Sequence, residues 1–394
     1  MKLFPSVILL PKKERSLQLF HPWLFSGAIK KVDQGVTEGD IVEIFSSEGN
    51  YLATGHFHEG SIKVRIFSFS RTKADQNFWN EKIKSAYQVR ERLGLVANKQ
   101  TNAYRLIHAE GDGLPGLIVD IYGSVAVIQT HTLGMYKLIP SIADALQYVF
   151  NGGLTCIYDK SADALGKQSI SSSGNSFVFG QQSDAVINEN GVSFYVNWVD
   201  GQKTGFFLDQ RENRELLKKY TPGKQVLNTF SYSGGFSMYA LSANATFVHS
   251  VDSSKKAGEW AEKNAQINQF SERHSYFAED AFDFLKKSDK KYEVIVLDPP
   301  AFAKHLSSLD KATIGYRNLN TEGFRHIAPG GILFTFSCSQ VMDKMLFKKI
   351  VFQAAAQSGR NVRILHHLSQ GPDHPVSIYH PEGEYLKGLV LLVE

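Results

Sequence analysis

Cys338 and Asp298 are the residues of this chain best placed to do chemistry. Cys338 stands between two serines at the end of an apolar run, Gly331-Ile332-Leu333-Phe334-Thr335-Phe336-Ser337. About forty residues earlier a second apolar run, Val294-Ile295-Val296-Leu297, ends in Asp298-Pro299-Pro300. A thiol and a carboxylate at the ends of two buried strands can act together on one bound substrate, the thiol as nucleophile. The competing reading of Cys338 is a small apolar core residue, a common fate of a free cysteine.

The elements around this pair must hold it in place. From about Ser193 the chain alternates strands and helices. Strands are expected over 225–230, 247–252 and 275–280, and helices over 236–243, 257–268 and 282–287. The two apolar runs follow. That alternation predicts a doubly wound parallel sheet. Ser231-Tyr232-Ser233-Gly234-Gly235-Phe236 joins the first strand to its helix, and its glycines allow close approach of backbone to a ligand. It is not a phosphate-cradling G-x-G-x-x-G loop, and no Gly-Lys-Ser/Thr follows it. Asp252 ends the second strand, where an acidic residue suits ribose hydroxyls. Asp280 ends the third, within reach of an exocyclic amine.

Upstream, short alternating strands (41–45, 51–57 and 61–69) separated by Gly-rich turns predict a small β-barrel or sandwich. Lys63 and Arg65 put positive charge on one of its faces, which also reads as an ordinary solvated face. Phe78, Ile83, Ala86, Tyr87, Val89 and Arg90 fall at helical spacing over 75–93. A hairpin is expected from 117–120 to 125–129 across Tyr122-Gly123-Ser124, then a helix near 135–150 and strands at 154–158 and 176–179. Ser171-Ser172-Ser173-Gly174-Asn175 reads as a loop. Domains are therefore expected at 1–71, 72–185 and 186–394.

The 394 residues are 43% hydrophobic and 21% charged, with a net charge of +4, which suits a water-soluble multidomain protein. No apolar run has membrane-spanning length. The start, Met1-Lys2-Leu3-Phe4-Pro5, reads as the approach to a first strand rather than a signal peptide. Cys156 and Cys338 are the only cysteines, so a disulfide framework is excluded and a reducing cytoplasm is expected. No Cys and His cluster has zinc-site spacing, and no metal is expected. The mild positive charge permits a polyanionic partner without requiring one.

The glycine turn with Asp252, Asp280 and Asp298 at successive strand ends resembles the class I S-adenosylmethionine-dependent methyltransferases. The resemblance narrows further. His21-Pro22-Trp23-Leu24-Phe25-Ser26-Gly27-Ala28 looks like the opening of a PUA RNA-binding domain. Residues 105–120, 201–211, Asp373-His374-Pro375 and Tyr385-Leu386-Lys387-Gly388 look like further segments of the same family, the bacterial 23S rRNA cytosine-C5 methyltransferases. The fold this implies is α/β: a Rossmann-like class I methyltransferase domain after an N-terminal PUA β-barrel and a middle α+β domain. The cofactor implied is S-adenosyl-L-methionine, and the partner is large-subunit ribosomal RNA in the cytoplasm. Oligomeric state stays open, a homodimer included.

By the same resemblance Cys338 attacks cytosine C6 as a thiolate, which needs a depressed thiol pKa. Asp298 holds the base edge and favours protonation at N3. Phe207, Gln210, Arg211, Asn228, Phe230, Ser231, Gly234, Gly235, Asp252, Ser253, Asp280, Ala281 and Asp298 contact the methyl donor. One departure stands out: the eukaryotic-type RNA cytosine-C5 enzymes carry a second cysteine after Asp-Pro-Pro, and here that position is Ala301. The base that removes the C5 proton is not legible. Two other readings stay open, a guanine N7 or N2 methyltransferase without a nucleophile and an inactive RNA-binding assembly factor. A nicotinamide dehydrogenase lacks its fingerprint loop here.

Overall fold

The computed structural model describes residues 2–165 and 174–394, so Ser171–Ser173 of the expected serine loop lie outside the described residues. By internal contacts the chain divides into two compact units. One comprises 1–187, 196–208 and 372–383, and the other 188–195, 209–371 and 384–394.

The first unit holds two sheets. Six strands pair in the order Trp23–Phe25, Ile62–Ser68, Tyr51–Phe57, Ile41–Phe45, Ser6–Leu9 and Ile29–Val32. Val7, Leu9, Leu24, Val42, Ile44, Ala53, Val64 and Ile66 form their core, as period-2 alternation requires. Arg65 departs from the expected basic face. Its guanidinium pairs with Glu110 at 2.8 Å and lies over the Trp23 ring, so its charge is neutralised locally.

The second sheet of this unit runs Ser176–Phe179, Cys156–Asp159, Val125–Thr130, Leu117–Tyr122 and Ala103–His108. Its expected hairpin forms, with Gly123 at φ +63° in the tight turn. The helix Gln76–Arg92 begins at Asp75, whose side chain accepts the Phe78 N–H. Trp79, which the apolar spacing did not mark, is buried, whereas Val89 is 38% exposed. The helix expected over 135–150 is two helices, Leu133–Lys137 and Ile139–Phe150. Pro140 has no N–H to give and stands in the first turn of the second, so the chain restarts there.

Arg90 is buried although charged. It pairs with Asp112 and donates to the carbonyls of Arg105 (2.8 Å) and Asp373 (2.7 Å). Arg90→Met strands the Asp112 carboxylate without its cation. The expected loss is about 3–5 kcal/mol, read as a lower urea midpoint.

In the second unit seven strands form one sheet: β1 (Gln225–Thr229), β2 (Phe247–Val251), β3 (His274–Phe277), β4 (Tyr292–Leu297), β5 (Ile327–Ser337), β6 (Val362–Leu368) and β7 (Lys387–Val393). Their order is β3-β2-β1-β4-β5-β7-β6. The sheet is mixed rather than wholly parallel: β7 runs antiparallel to both β5 and β6. Helices α1 (Gly235–Ser242), α2 (Lys255–Ile267), α3 (Ala281–Lys287), α4 (Leu309–His326) and α5 (Lys344–Ser358) connect it. Ser254, Asp280 and Asp343 cap α2, α3 and α5 with side-chain oxygens. The strand order reverses between β1 and β4, which opens a crevice at their carboxyl ends.

Candidate functional site

The turn after β1 has an unusual backbone. Phe230 (φ +55°), Tyr232 (φ +46°) and Gly234 (φ +81°) all occupy the left-handed region, a strained pattern that clusters at ligand sites. Gly234 caps α1, and a Cβ there would touch the Ala261 Cβ and the Met238 Cε at 3.4 Å. Asn264 of α2 holds the turn by donating to the Ser233 carbonyl at 2.8 Å. Asn228 donates to Ser237 Oγ at 2.8 Å. Three buried polar atoms on this stretch have no partner: Asn228 Oδ1, Ser231 Oγ and Ser233 Oγ. Buried polar groups are otherwise paired, so these fit a polar ligand lying along the turn, such as the amino acid part of S-adenosylmethionine.

Asp252, just past β2, leans on the same turn. Its Oδ2 accepts the Tyr232 N–H at 2.9 Å and its Oδ1 the Ser254 N–H at 3.0 Å. Tyr276 steadies this segment by donating to the Ser254 carbonyl at 2.8 Å. The Tyr276 ring lies against Gly258, where any Cβ would clash at 2.4 Å. Ser253 is exposed and Ala281 is buried. Asp280 Oδ1 accepts the N–H groups of Phe282 and Asp283 as the α3 cap.

Parallel pairing of β4 with β5 sets Leu297 opposite Thr335. Asp298 and Cys338 therefore leave adjacent strands together, and Cys338 Sγ comes within 3.8 Å of the Pro299 carbonyl oxygen. Gln210 Nε2 donates to both Asp298 oxygens at 3.0 Å. Gln210 Oε1 in turn accepts from Asn213 at 2.6 Å. Burial, reinforced by the Asp209 charge, raises the Asp298 carboxyl to about 7, against the pull of Arg214 and Gln210. Near neutrality this side chain can carry a proton and give it up.

The thiol behaves opposite to expectation. Burial first, then the charges of Asp298 and Asp209, push Cys338 up to about 12, with Lys387 pulling the other way. The depression needed for nucleophilic attack is not what these surroundings produce. Protonation of Asp298 removes one of the charges that raise the thiol.

Several residues around the thiol were not marked by their types. Register pairs Lys387 with Ser337. The Lys387 ammonium is buried and donates at 2.7 Å to the carbonyls of Ser339 and Tyr385. Tyr316 of α4 shares a 2.9 Å hydrogen bond with Ser339 Oγ. Tyr385 OH donates to Asp209 Oδ2 at 2.7 Å. Tyr385 and Lys387 belong to a segment that carried the family resemblance, but nothing in their types marks them as neighbours of Cys338. Phe207 belongs to the first compact unit and is half-buried. Arg211 is buried with its Nε 3.4 Å from Glu212.

Known proteins match along the whole chain. The PUA-like domain profile matches residues 7–69, and that of the S-adenosylmethionine-dependent methyltransferases matches 171–385. The ribosomal RNA large subunit methyltransferase I of Aeromonas salmonicida is 39% identical over 393 residues, covering 98% of each chain. The protein of the same name from Pseudoalteromonas atlantica is 41% identical over 396 residues, covering 98% of this chain and 99% of the relative. A solved Streptococcus mutans protein, assigned as a SAM-dependent methyltransferase, aligns with a TM-score of 0.84 at 23% identity, covering 98% and 99%. A methyltransferase structure complexed with SAH aligns equally well. With two domain profiles matched and near-complete coverage of its relatives, the chain belongs to the S-adenosylmethionine-dependent methyltransferases, in the family of ribosomal RNA large subunit methyltransferase I.

Proposed function

We propose that this enzyme forms 5-methylcytosine in 23S rRNA through a covalent bond between Cys338 and C6 of the target cytosine. The observation that carries the reading is the pairing at the strand ends: a thiol beside a carboxylic acid that holds its proton up to about pH 7. Attack at C6 pushes electrons toward N3, and a protonated Asp298 supplies the proton that N3 takes. C5 then becomes nucleophilic toward the methyl group that the donor supplies. A guanine N7 or N2 target needs neither a nucleophile nor this acid.

The donor lies, in this reading, along the turn after β1. Asn228, Phe230, Ser231, Gly234 and Gly235 face its amino acid part, Asp252 and Ser253 its ribose, and Asp280 and Ala281 its adenine. Gln210 and Arg211 complete the lining. Residues 1–71 bind the RNA, 72–185 form the middle domain and 186–394 carry out methyl transfer. The enzyme works in the cytoplasm on its 23S substrate; no described helix is long and apolar enough to cross a membrane.

Two measurements test this. Purified enzyme with S-adenosylmethionine and unmodified 23S rRNA is expected to yield 5-methylcytidine on nucleoside mass analysis, and a methylguanosine product sinks the proposal. Asp252→Ala is expected to weaken S-adenosylhomocysteine binding by roughly 10- to 100-fold in calorimetry, the effect of losing a charged acceptor. Unchanged affinity removes Asp252 from the donor site.

A further inference from the structure

We propose that Asp209 is the general base that removes the C5 proton, the role left vacant by Ala301. This rests on the cytosine-C5 reading above. Asp209 lies in the short helical turn Leu208–Gln210. Its neighbour Gln210 binds Asp298, so the turn is tied to the acid of the pair. Its Oδ2 is fixed by the Tyr385 hydroxyl at 2.7 Å, while its Oδ1 is buried with no partner. A carboxylate with one oxygen oriented and the other buried but unpaired is arranged as a general base is, held by a third group and with an acceptor left to spend at the reacting atom. The same Tyr385 accepts the Lys387 ammonium at its carbonyl, and Lys387 also holds the carbonyl of Ser339 next to Cys338. One hydrogen-bond path therefore runs from Asp209 to the residue beside the nucleophile.

The other titratable groups around the thiol are committed. Asp298 binds Gln210 through both oxygens and serves as acid. Tyr316 is bonded to Ser339 Oγ. Lys387 donates to two carbonyls, and burial lowers it only to about 8, so it carries its proton near pH 7. The negative charge of Asp209 acts on both Asp298 and Cys338, and its neighbour Gln210 bonds Asp298 directly. Asp298 holds a proton up to about pH 7 and so takes the acid work, which leaves the base work to another group.

The steps balance. The Cys338 thiolate bonds to C6 while N3 takes the Asp298 proton. C5 takes the methyl group from the donor's sulfonium, releasing neutral S-adenosylhomocysteine and leaving a cationic, N3-protonated ring. Asp209 then takes the C5 proton, and the freed electron pair neutralises the ring. The C6–S bond breaks to return the thiolate, the C5–C6 double bond reforms, and N3 gives its proton back to Asp298. The net proton rests on Asp209.

RNA labelled with tritium at cytosine C5 separates these steps, because methyl transfer and proton removal are counted independently. Wild type is expected to release one tritium per methyl transferred. Asp209→Asn is expected to transfer methyl, retain the tritium, and accumulate a denaturation-stable protein–RNA adduct, with release slowed at least about 100-fold. Tyr385→Phe, which keeps the carboxylate but frees it, is expected to slow release about 10-fold; if Asp209→Asn fails to bind S-adenosylhomocysteine, this variant alone decides. Release keeping pace with methyl transfer in the deciding variant overturns the assignment. So does an Asp209→Asn enzyme that binds S-adenosylhomocysteine normally yet forms no methylated adduct. Wild type that transfers methyl without releasing tritium fails the cytosine-C5 reading itself, and this proposal with it.

Discussion

Cys338→Ala is expected to lower methyl transfer by roughly 10⁴-fold or more, the scale seen when a covalent nucleophile is removed, while S-adenosylhomocysteine affinity stays within about 2-fold. The split follows from the geometry. Cys338 lies at the end of β5 against the Pro299 carbonyl, whereas the strained turn and Asp252 stand at the ends of β1 and β2. The thiol itself sharpens the test. In the free protein it is pushed up to about 12 by burial and by Asp298 and Asp209. Alkylation of free enzyme by iodoacetamide is thus expected to be slow at pH 7 and to climb with pH. Addition of a sulfonium donor, by supplying positive charge, is expected to speed it. A Cys338→Ala enzyme with near-normal turnover makes the thiol a packing residue and favours the guanine reading.

Asp298→Asn is expected to cut turnover by about 100- to 1000-fold, because an amide cannot pass a proton to N3. The same variant is expected to gain stability relative to wild type as pH rises. The Asp298 carboxyl is raised from 3.8 to about 7 in the folded protein. Its stabilising protonation is fully present below about pH 4, where folded and unfolded chains both bind the proton. It is lost as pH climbs toward 7, because the unfolded chain ionises freely while the folded one resists. Asn mimics the neutral acid at every pH. The melting-temperature difference between variant and wild type is therefore expected near zero at pH 4 and largest above pH 7. The full shift corresponds to about 4 kcal/mol, of which roughly half is expected because Asp298 keeps partial solvent contact. A pH-independent difference removes the raised carboxyl from the account.

Much of the site was readable because it sits at strand ends. Apolar runs of strand length bounded by Asp252, Asp280, Asp298 and Cys338 mark the carboxyl edge of a parallel sheet, where ligands bind whatever the loops do. The caps Asp75, Ser254 and Asp343 belong to the same local level, each accepting an N–H from the first turn of its own helix. Local backbone chemistry alone accounts for both. Pro140 was equally visible, but the apolar spacing continued across it and hid the break between two helices.

What the chain determined by itself is the strand and helix alternation from 225 to 297, the apolar run that ends at Cys338, the residues at those strand ends and, through long motifs, the family; the helices Leu309–His326 and Lys344–Ser358 and the last two strands were not read from it. Tertiary structure alone decided who meets whom and in which charge state. Asp209 and Tyr385 bond across 176 positions of sequence, and no periodicity links them. Lys387 reaches the neighbourhood of Cys338 only because β7 runs antiparallel beside β5. Arg65 reads as a surface charge until Glu110 closes on it. The proton on Asp298 and the reluctance of Cys338 to ionise are also properties of burial. Desolvation and Coulomb terms depend on distances in space, whereas propensity and capping depend on neighbours along the chain.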